Sequence, residues 1–121
     1  MIERSVTVPV DAEEAFAWHD RAGALERLIP PWERVEILER SGGIADGARV
    51  VVRVHQGPVS RRWVARHRDY QPGRRFVDEQ AEGPFARWVH IHVFEPEGPA
   101  SCRVTDRIEV TLPGGAAGRL A

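Results

Sequence analysis

After Pro31 the chain is written almost wholly in period two. The runs ERVEILER, ARVVVRVHQ, SRRWVARHRDY, RRFVDEQAE, ARWVHIHVF and CRVTDRIEVTL are separated by SGGIADG, GPV, QPG, GPF and EPEGPA, so glycine and proline recur at short intervals. Runs of that kind pair antiparallel, because the connections are too short for the crossover that parallel neighbours require. A six-stranded meander is the expected frame. Upstream, SVTVPV alternates as one more strand. Asp11 then stands as an N-cap with Glu14 three residues on, a capping-box pattern before Ala15, Phe16 and Trp18, which predicts a helix from Asp11 to about Asp20. Leu25, Leu28 and Ile29 give a second helical stripe from about Ala22, ended by Pro30 and Pro31. The 121 residues read as one domain, 1–121, with neither repeat nor linker, long enough to bury roughly two thirds of the unfolded surface.

Strand parity then sorts the side chains. In Trp88-Val89-His90-Ile91-His92-Val93-Phe94 the aromatics and histidines fall on one face and three β-branched residues on the other. With an odd loop around Gly83, Pro84 and Phe85, Gln80 lies opposite Trp88, Asp78 opposite His90 and Phe76 opposite His92. A turn through Pro96 to Pro99 pairs Phe94 with Cys102, His92 with Val104 and His90 with Asp106. This predicts a row Asp78, His90, Asp106 across three strands. A turn at Pro58 and Val59 pairs Val50, Val52 and Val54 with His67, Ala65 and Trp63. The expected concave wall is Trp63, His67, Phe76, Asp78, Gln80, Trp88, His90, His92, Phe94, Asp106 and Ile108, an apolar surface with a few convergent polar groups, as small-molecule sites usually are.

Two chemistries fit the polar row. A buried histidine can simply be satisfied by carboxylates and backbone. Flanked by Asp78 or Asp106, its charged form is favoured, so it could protonate a carbonyl or enolate, with His90, Asp78 and Asp106 as the catalytic set of an enzyme. A His-X-His pair with an Asp across can in principle hold Zn or Fe, but the spacing alone does not carry a metal, and neither metal nor cofactor is expected.

Composition narrows the partners. All 17 basic residues are Arg, with no Lys and no Asn, a lean that suggests a GC-rich, bacterial coding sequence. Eight arginines lie between Arg49 and Arg75 against the single acid Asp69. Arg53, Arg62, Arg66 and Arg68 take the parity opposite to the Val and Trp strip, so they belong to a solvated convex face. No aromatics interleave with them and no groove-entering helix is apparent, which argues against nucleic acid. No run approaches the roughly 18 apolar residues that span a bilayer, and MIERSVTVPVDAEE lacks a signal-peptide core, so stable membrane insertion is not expected and a cytoplasmic location is. Cys102 is alone, so it forms no internal disulfide and reads as a small buried hydrophobe.

The order of elements, with AFAWHDR, LERLIPPWERVEIL, GGIADGARVV, WVARHRDYQPGRRFVDEQAEGPFARWVHIHVFEP and RVTDRIEVTLP, resembles the START-like, birch-pollen-allergen-like superfamily. The likeness is to its polyketide cyclase/dehydrase and lipid-transport-type domains, including those at the N-terminus of sugar-nucleotide-epimerase-like proteins. The resemblance implies an α+β helix-grip fold: a curved antiparallel sheet of about seven strands, two short helices after the first strand, and a long C-terminal helix across a cavity. It implies a domain that binds or transports a hydrophobic or aromatic molecule such as a lipid, polyketide or isoprenoid. The alternatives are a cyclase/dehydratase using a His–Asp pair and a protein-interaction module. After Pro113 only GGAAGRLA follows, so most of the gripping helix is expected to be missing. A sheet face bearing Trp63, Phe76, Trp88 and Phe94 would then need another cover. Either the chain is a truncation, or it self-associates as a homodimer through its concave faces or N-terminal helices.

Overall fold

The computed structural model describes residues 1–21, 34–41 and 43–113, apart from the side chain of Gln56. Seven strands form one antiparallel sheet: β1 (Ile2–Val8), β2 (Val35–Ser41), β3 (Arg49–Gln56), β4 (Val59–Gln71), β5 (Arg75–Glu82), β6 (Arg87–Pro96) and β7 (Cys102–Thr111). The order is β1-β7-β6-β5-β4-β3-β2, so the expected six-strand meander is present and β1 closes it beside β7. Between β1 and β2 lies α1 (Ala12–His19). Asp11 caps it by accepting the Glu14 N–H at 2.8 Å, as the sequence pattern requires. The second helical stripe and the residues after Pro113 lie outside the described residues.

The helix packs on the sheet through Phe16, which is 4 % exposed. Its ring meets Tyr70, Phe76 and Phe94 edge-on at centroid distances of 5.5, 5.8 and 5.3 Å. Ala12, Ala15, Ile44, Cys102 and Val104 complete that core. Phe76 and Phe94 are therefore covered by α1, and Cys102 is fully buried as expected. Tyr70 joins this face through a break in strand parity. His67 and Tyr70 would point opposite ways along an unbroken strand, but the β4–β5 register shifts between Arg68 and Gln71, and Asp69 adopts φ 54° there. The extra residue of a bulge returns Tyr70 to the face of His67.

The convex face carries many of the arginines, and several of them are ion-paired. Arg62 bonds Glu82, Arg68 bonds Asp69 and lies 3.3 Å from Glu79, Arg87 lies 3.6 Å from Glu109, and Arg107 lies 3.6 Å from Glu3. Val51, Val64, Val77 and Val89 share this parity yet are at most 2 % exposed. Val77 sits between Arg68 and Ile91 in the register, so long guanidinium stems roof the small residues while their heads stay in water. No helix among the described residues is long and apolar enough to cross a membrane.

Candidate functional site

Three hairpins aim the polar side chains at the concave face, and two of them differ in register from the sequence expectation. Between β5 and β6 the pairing is as expected, Phe76 with His92 and Asp78 with His90. Between β3 and β4, Gly57 at φ 59° begins a two-residue turn with Pro58, so Val50 pairs with Ala65 and Val52 with Trp63 rather than with His67 and Ala65. Between β6 and β7 the loop is closed by the Glu97 N–H on the Ser101 carbonyl at 3.0 Å, which centres the turn on Pro99. Phe94 therefore pairs with Val104, His92 with Asp106 and His90 with Ile108. Both corrections are shifts of two, which change partners but not faces. The row Asp78, His90, Asp106 is replaced by a lattice. His90 stands between Asp78 and Ile108, His92 between Phe76 and Asp106, and the two carboxylates reach both rings diagonally.

The contacts are short. His92 Nε2 lies 2.7 Å from Asp78 Oδ2 and His90 Nε2 lies 2.9 Å from Asp106 Oδ1. His92 Nδ1 is 3.2 Å from that same Asp106 oxygen, in ion-pair range but not aligned for a hydrogen bond, and His90 Nδ1 is 3.9 Å from Asp78 Oδ2. The rings stack, His90 on His92 at 3.8 Å and His92 on Phe76 at 4.1 Å. Burial alone would lower the basicity of His92, but its contacts with Asp106 and Asp78 outweigh burial and hold it above its ordinary value. Burial would likewise raise Asp78, yet the His92 hydrogen bond and the neighbouring imidazoles keep it below the usual carboxylate range. Asp106 is held well below that range, first by His90 and then by His92.

Two further histidines face the cluster. His67, directly across from Asp78, is 8 % exposed, and its Nδ1 has no hydrogen-bond partner. Burial pushes its basicity down, against a partial opposing pull from Asp78. Its place is fixed by the loop after β2, where its backbone exchanges bonds with Gly47 and Ala48 at 2.9 and 2.8 Å. His19, in the last turn of α1, lies 6.3 Å from the His92 ring and 5.1 Å from Phe94, and burial lowers it also. Four of the five histidines thus gather on one side, while His55 lies apart, 3.6 Å from Glu36. His19 was missing from the sequence reading. The available signal was its position at the end of an amphipathic helix three residues beyond Phe16, the residue that fixes which side of α1 meets the sheet.

These residues open onto a cavity of about 110 Å³ lined by His19, Ile44, Val50, His67, Phe76, Asp78 and His92, with Arg21, Arg40 and Gly43 at its edge. Gly43 has φ 61°, and a Cβ there would stand 2.5 Å from Asp20 Oδ1, the atom that accepts the Ile44 N–H at 3.2 Å. That bond seats Ile44 in the wall. The remaining expected wall residues lie beyond this cavity. Trp63 and Trp88 meet edge-on at 5.5 Å, Phe85 is 5.2 Å from Trp88, and both indole N–H groups are buried without partners. Gln80 uses both ends of its amide on Phe85, donating to its carbonyl at 2.6 Å and accepting its N–H at 3.3 Å, and so ties the β5–β6 loop. Phe94 is buried under α1, and Ile108 is half-buried beside His90. A larger depression of about 480 Å³ lies on the convex side among Glu3, Glu95, Glu97, Arg103 and Arg107, away from the histidines.

Among solved structures the chain is similar to norcoclaurine synthase from Thalictrum flavum, at 16 % identity and a TM-score of 0.74, covering 93 % of this chain and 76 % of that one. It is also similar to the Zhui aromatase/cyclase from Streptomyces sp. R1128, at 22 % identity and 0.70, covering 99 % and 68 %. TTHA0849 from Thermus thermophilus matches at 21 % and 0.63, covering 93 % and 76 %. At these identities the likeness establishes the fold, a helix-grip architecture. No match was found among curated proteins. The sequence itself matches the family described as polyketide cyclase / dehydrase and lipid transport over residues 8–121, and the chain belongs to that family.

Proposed function

We propose that the concave wall binds a hydrophobic small molecule through one aromatic or isoprenoid-sized ring, and meets an oxygen of that molecule with the His/Asp cluster. The observation that carries this reading is that the polar set around the cavity is not saturated. His67 Nδ1 is buried without a hydrogen-bond partner beside the apolar side chains of Ile44, Val50 and Phe76. A buried donor left unpaired costs about 1–3 kcal/mol, a cost that a ligand carbonyl or hydroxyl would remove. The cavity volume of about 110 Å³ suits a single ring rather than a fused polycycle. The test compares uptake of a one-ring phenol and a three-ring analogue. Val50→Phe, which fills the cavity, should abolish binding of the phenol, and Arg66→Ala on the convex face should leave it unchanged. Equal effects of the two substitutions would refute the assignment.

A cyclase/dehydratase is the second reading, favoured by the His90–Asp106 pair at 2.9 Å. In it His90 transfers the proton to or from a carbonyl or enolate and Asp106 holds the ring in position. His90→Phe separates the two: turnover is lost under the second reading, while uptake of the phenol survives under the first.

A further inference from the structure

Four ring nitrogens surround two carboxylates in this cluster, and their directions matter beyond ligand binding. Each histidine turns one nitrogen to Asp106, His90 Nε2 at 2.9 Å and His92 Nδ1 at 3.2 Å. Each turns its other nitrogen to Asp78, His92 Nε2 at 2.7 Å and His90 Nδ1 at 3.9 Å from Oδ2. One carboxylate oxygen and two imidazole nitrogens therefore converge, all within 4.8 Å of one another. We propose that Asp78, His90 and His92 bind a single divalent transition-metal ion, with Asp106 as the outer carboxylate that orients both histidines.

Three features support the assignment. Ligand atoms about 2.0–2.2 Å from a tetrahedral zinc lie roughly 3.3–3.5 Å from one another. Asp78 Oδ2 stands 2.7 and 3.9 Å from the two nitrogens, separations that bracket that spacing, and the two nitrogens lie within 4.8 Å of each other, so rotation of the side chains would close the set on one ion. A proton can bridge Asp78 to His92, but it leaves His90 Nδ1 beyond hydrogen-bond reach of any described residue; an ion between the three atoms engages them all. Asp78 and His92 are only 16 % and 10 % exposed, and a dication that displaces the His92 proton would offset the charge of the two carboxylates in that setting. The donor set of two histidines and one carboxylate is one that zinc and non-haem iron both accept. Because Asp78 and His92 line the cavity, open coordination positions would face it, with the buried His67 nitrogen beside Asp78. Asp106, bonded to the far side of His90, has the usual place of a partner that fixes ring orientation rather than of a ligand.

The experiment titrates chelator-treated protein with Zn²⁺ by calorimetry, and with Co²⁺ by visible absorption. One ion per chain is expected, with histidine ring ¹⁵N signals of His90 and His92 displaced and that of His55 unmoved. His90→Gln and Asp78→Asn should each abolish saturable binding, Asp106→Asn should weaken it about 10- to 100-fold, and His55→Gln should not change it. Absence of saturable binding to the folded wild-type protein would overturn the proposal. So would binding that survives His90→Gln, or ring shifts at His55 instead. The ring-nitrogen readout uses the wild-type chain and decides the matter even if Asp78→Asn does not fold. Phenol uptake by the metal-free protein is measured on the same sample, so failure of the metal site and failure of the apolar pocket are read separately.

Discussion

Metal-free protein should be most stable near pH 6.5 and should weaken on either side for opposite reasons. His92 is held above its ordinary value of 6.5 by Asp106 and Asp78, against burial. Below pH 6.5 folded and unfolded chains both carry that proton and the stabilisation is fully present. As pH rises through 6.5 and on through the folded value, the unfolded chain releases the proton first and the stabilisation is lost. His19 and His67, held below 6.5 chiefly by burial, act in the other direction. As pH falls below 6.5 the unfolded chain takes up protons that the folded chain resists, and stability drops. Asp78 and Asp106, both held under the ordinary 3.8, add a further loss at still lower pH. One differential proton sets a slope of at most about 1.4 kcal/mol per pH unit, and two set at most about 2.7. The alkaline limb, governed by His92, is therefore the shallower. Urea midpoints taken with chelator present from pH 4.5 to 8.5, short of the ordinary Cys102 range near 9.0, would trace both limbs. His92→Gln should flatten the alkaline limb and leave the acid one sloping. Stability that keeps rising above pH 6.5, or an alkaline decline unaltered by His92→Gln, would refute the reasoning.

Two substitutions test the scaffold that holds the cluster. Phe16→Ala removes the ring through which α1 meets Tyr70, Phe76 and Phe94 and should cost about 3–5 kcal/mol in urea denaturation, with a rise in binding of a hydrophobic dye as the two phenylalanines are bared. Gly43→Ala forces a side chain into φ 61° and toward Asp20 Oδ1, so a loss of about 1–3 kcal/mol is expected, together with weaker phenol uptake as Ile44 loses its seat.

Parity was legible in the sequence and register only partly so. Alternation in ARWVHIHVF and in the neighbouring runs assigns Trp88, His90, His92, Phe76, Asp78 and Asp106 to one face, and the structure has them there, because a shift of two residues leaves every side chain on its own side. Turn geometry escaped the same reading. Whether EPEGPA turns on Gly98 or on Pro99 depends on the Glu97–Ser101 bond, which has no counterpart in hydrophobic pattern. The bulge at Asp69 was equally hidden, since an aspartate at positive φ is a local choice settled by packing of Tyr70 on Phe16. His19 needed knowledge of how α1 docks, and that depends on contacts distant in sequence.

The two-residue shift between β6 and β7 is what gives the site its chemistry. With His90 opposite Asp106, as alternation alone suggests, one histidine would lie between two aspartates and His92 would face Val104, a single charged row with a spectator ring. With His92 opposite Asp106, the carboxylate sits at the end of one ring and, diagonally, within 2.9 Å of the other, while Asp78 does the same from the far side. Both imidazoles then have a defined direction, and stacking at 3.8 Å keeps them parallel enough that neither can turn away without disturbing the other. A lone His–Asp pair can orient one proton, whereas this doubled arrangement fixes two rings and leaves one nitrogen of each directed at a single carboxylate oxygen. If the register were the simpler one, His90→Gln and His92→Gln would differ greatly in effect. In the observed lattice each should disturb the ring signals of the other, a reciprocal perturbation that ring-nitrogen spectra of the two variants can measure directly.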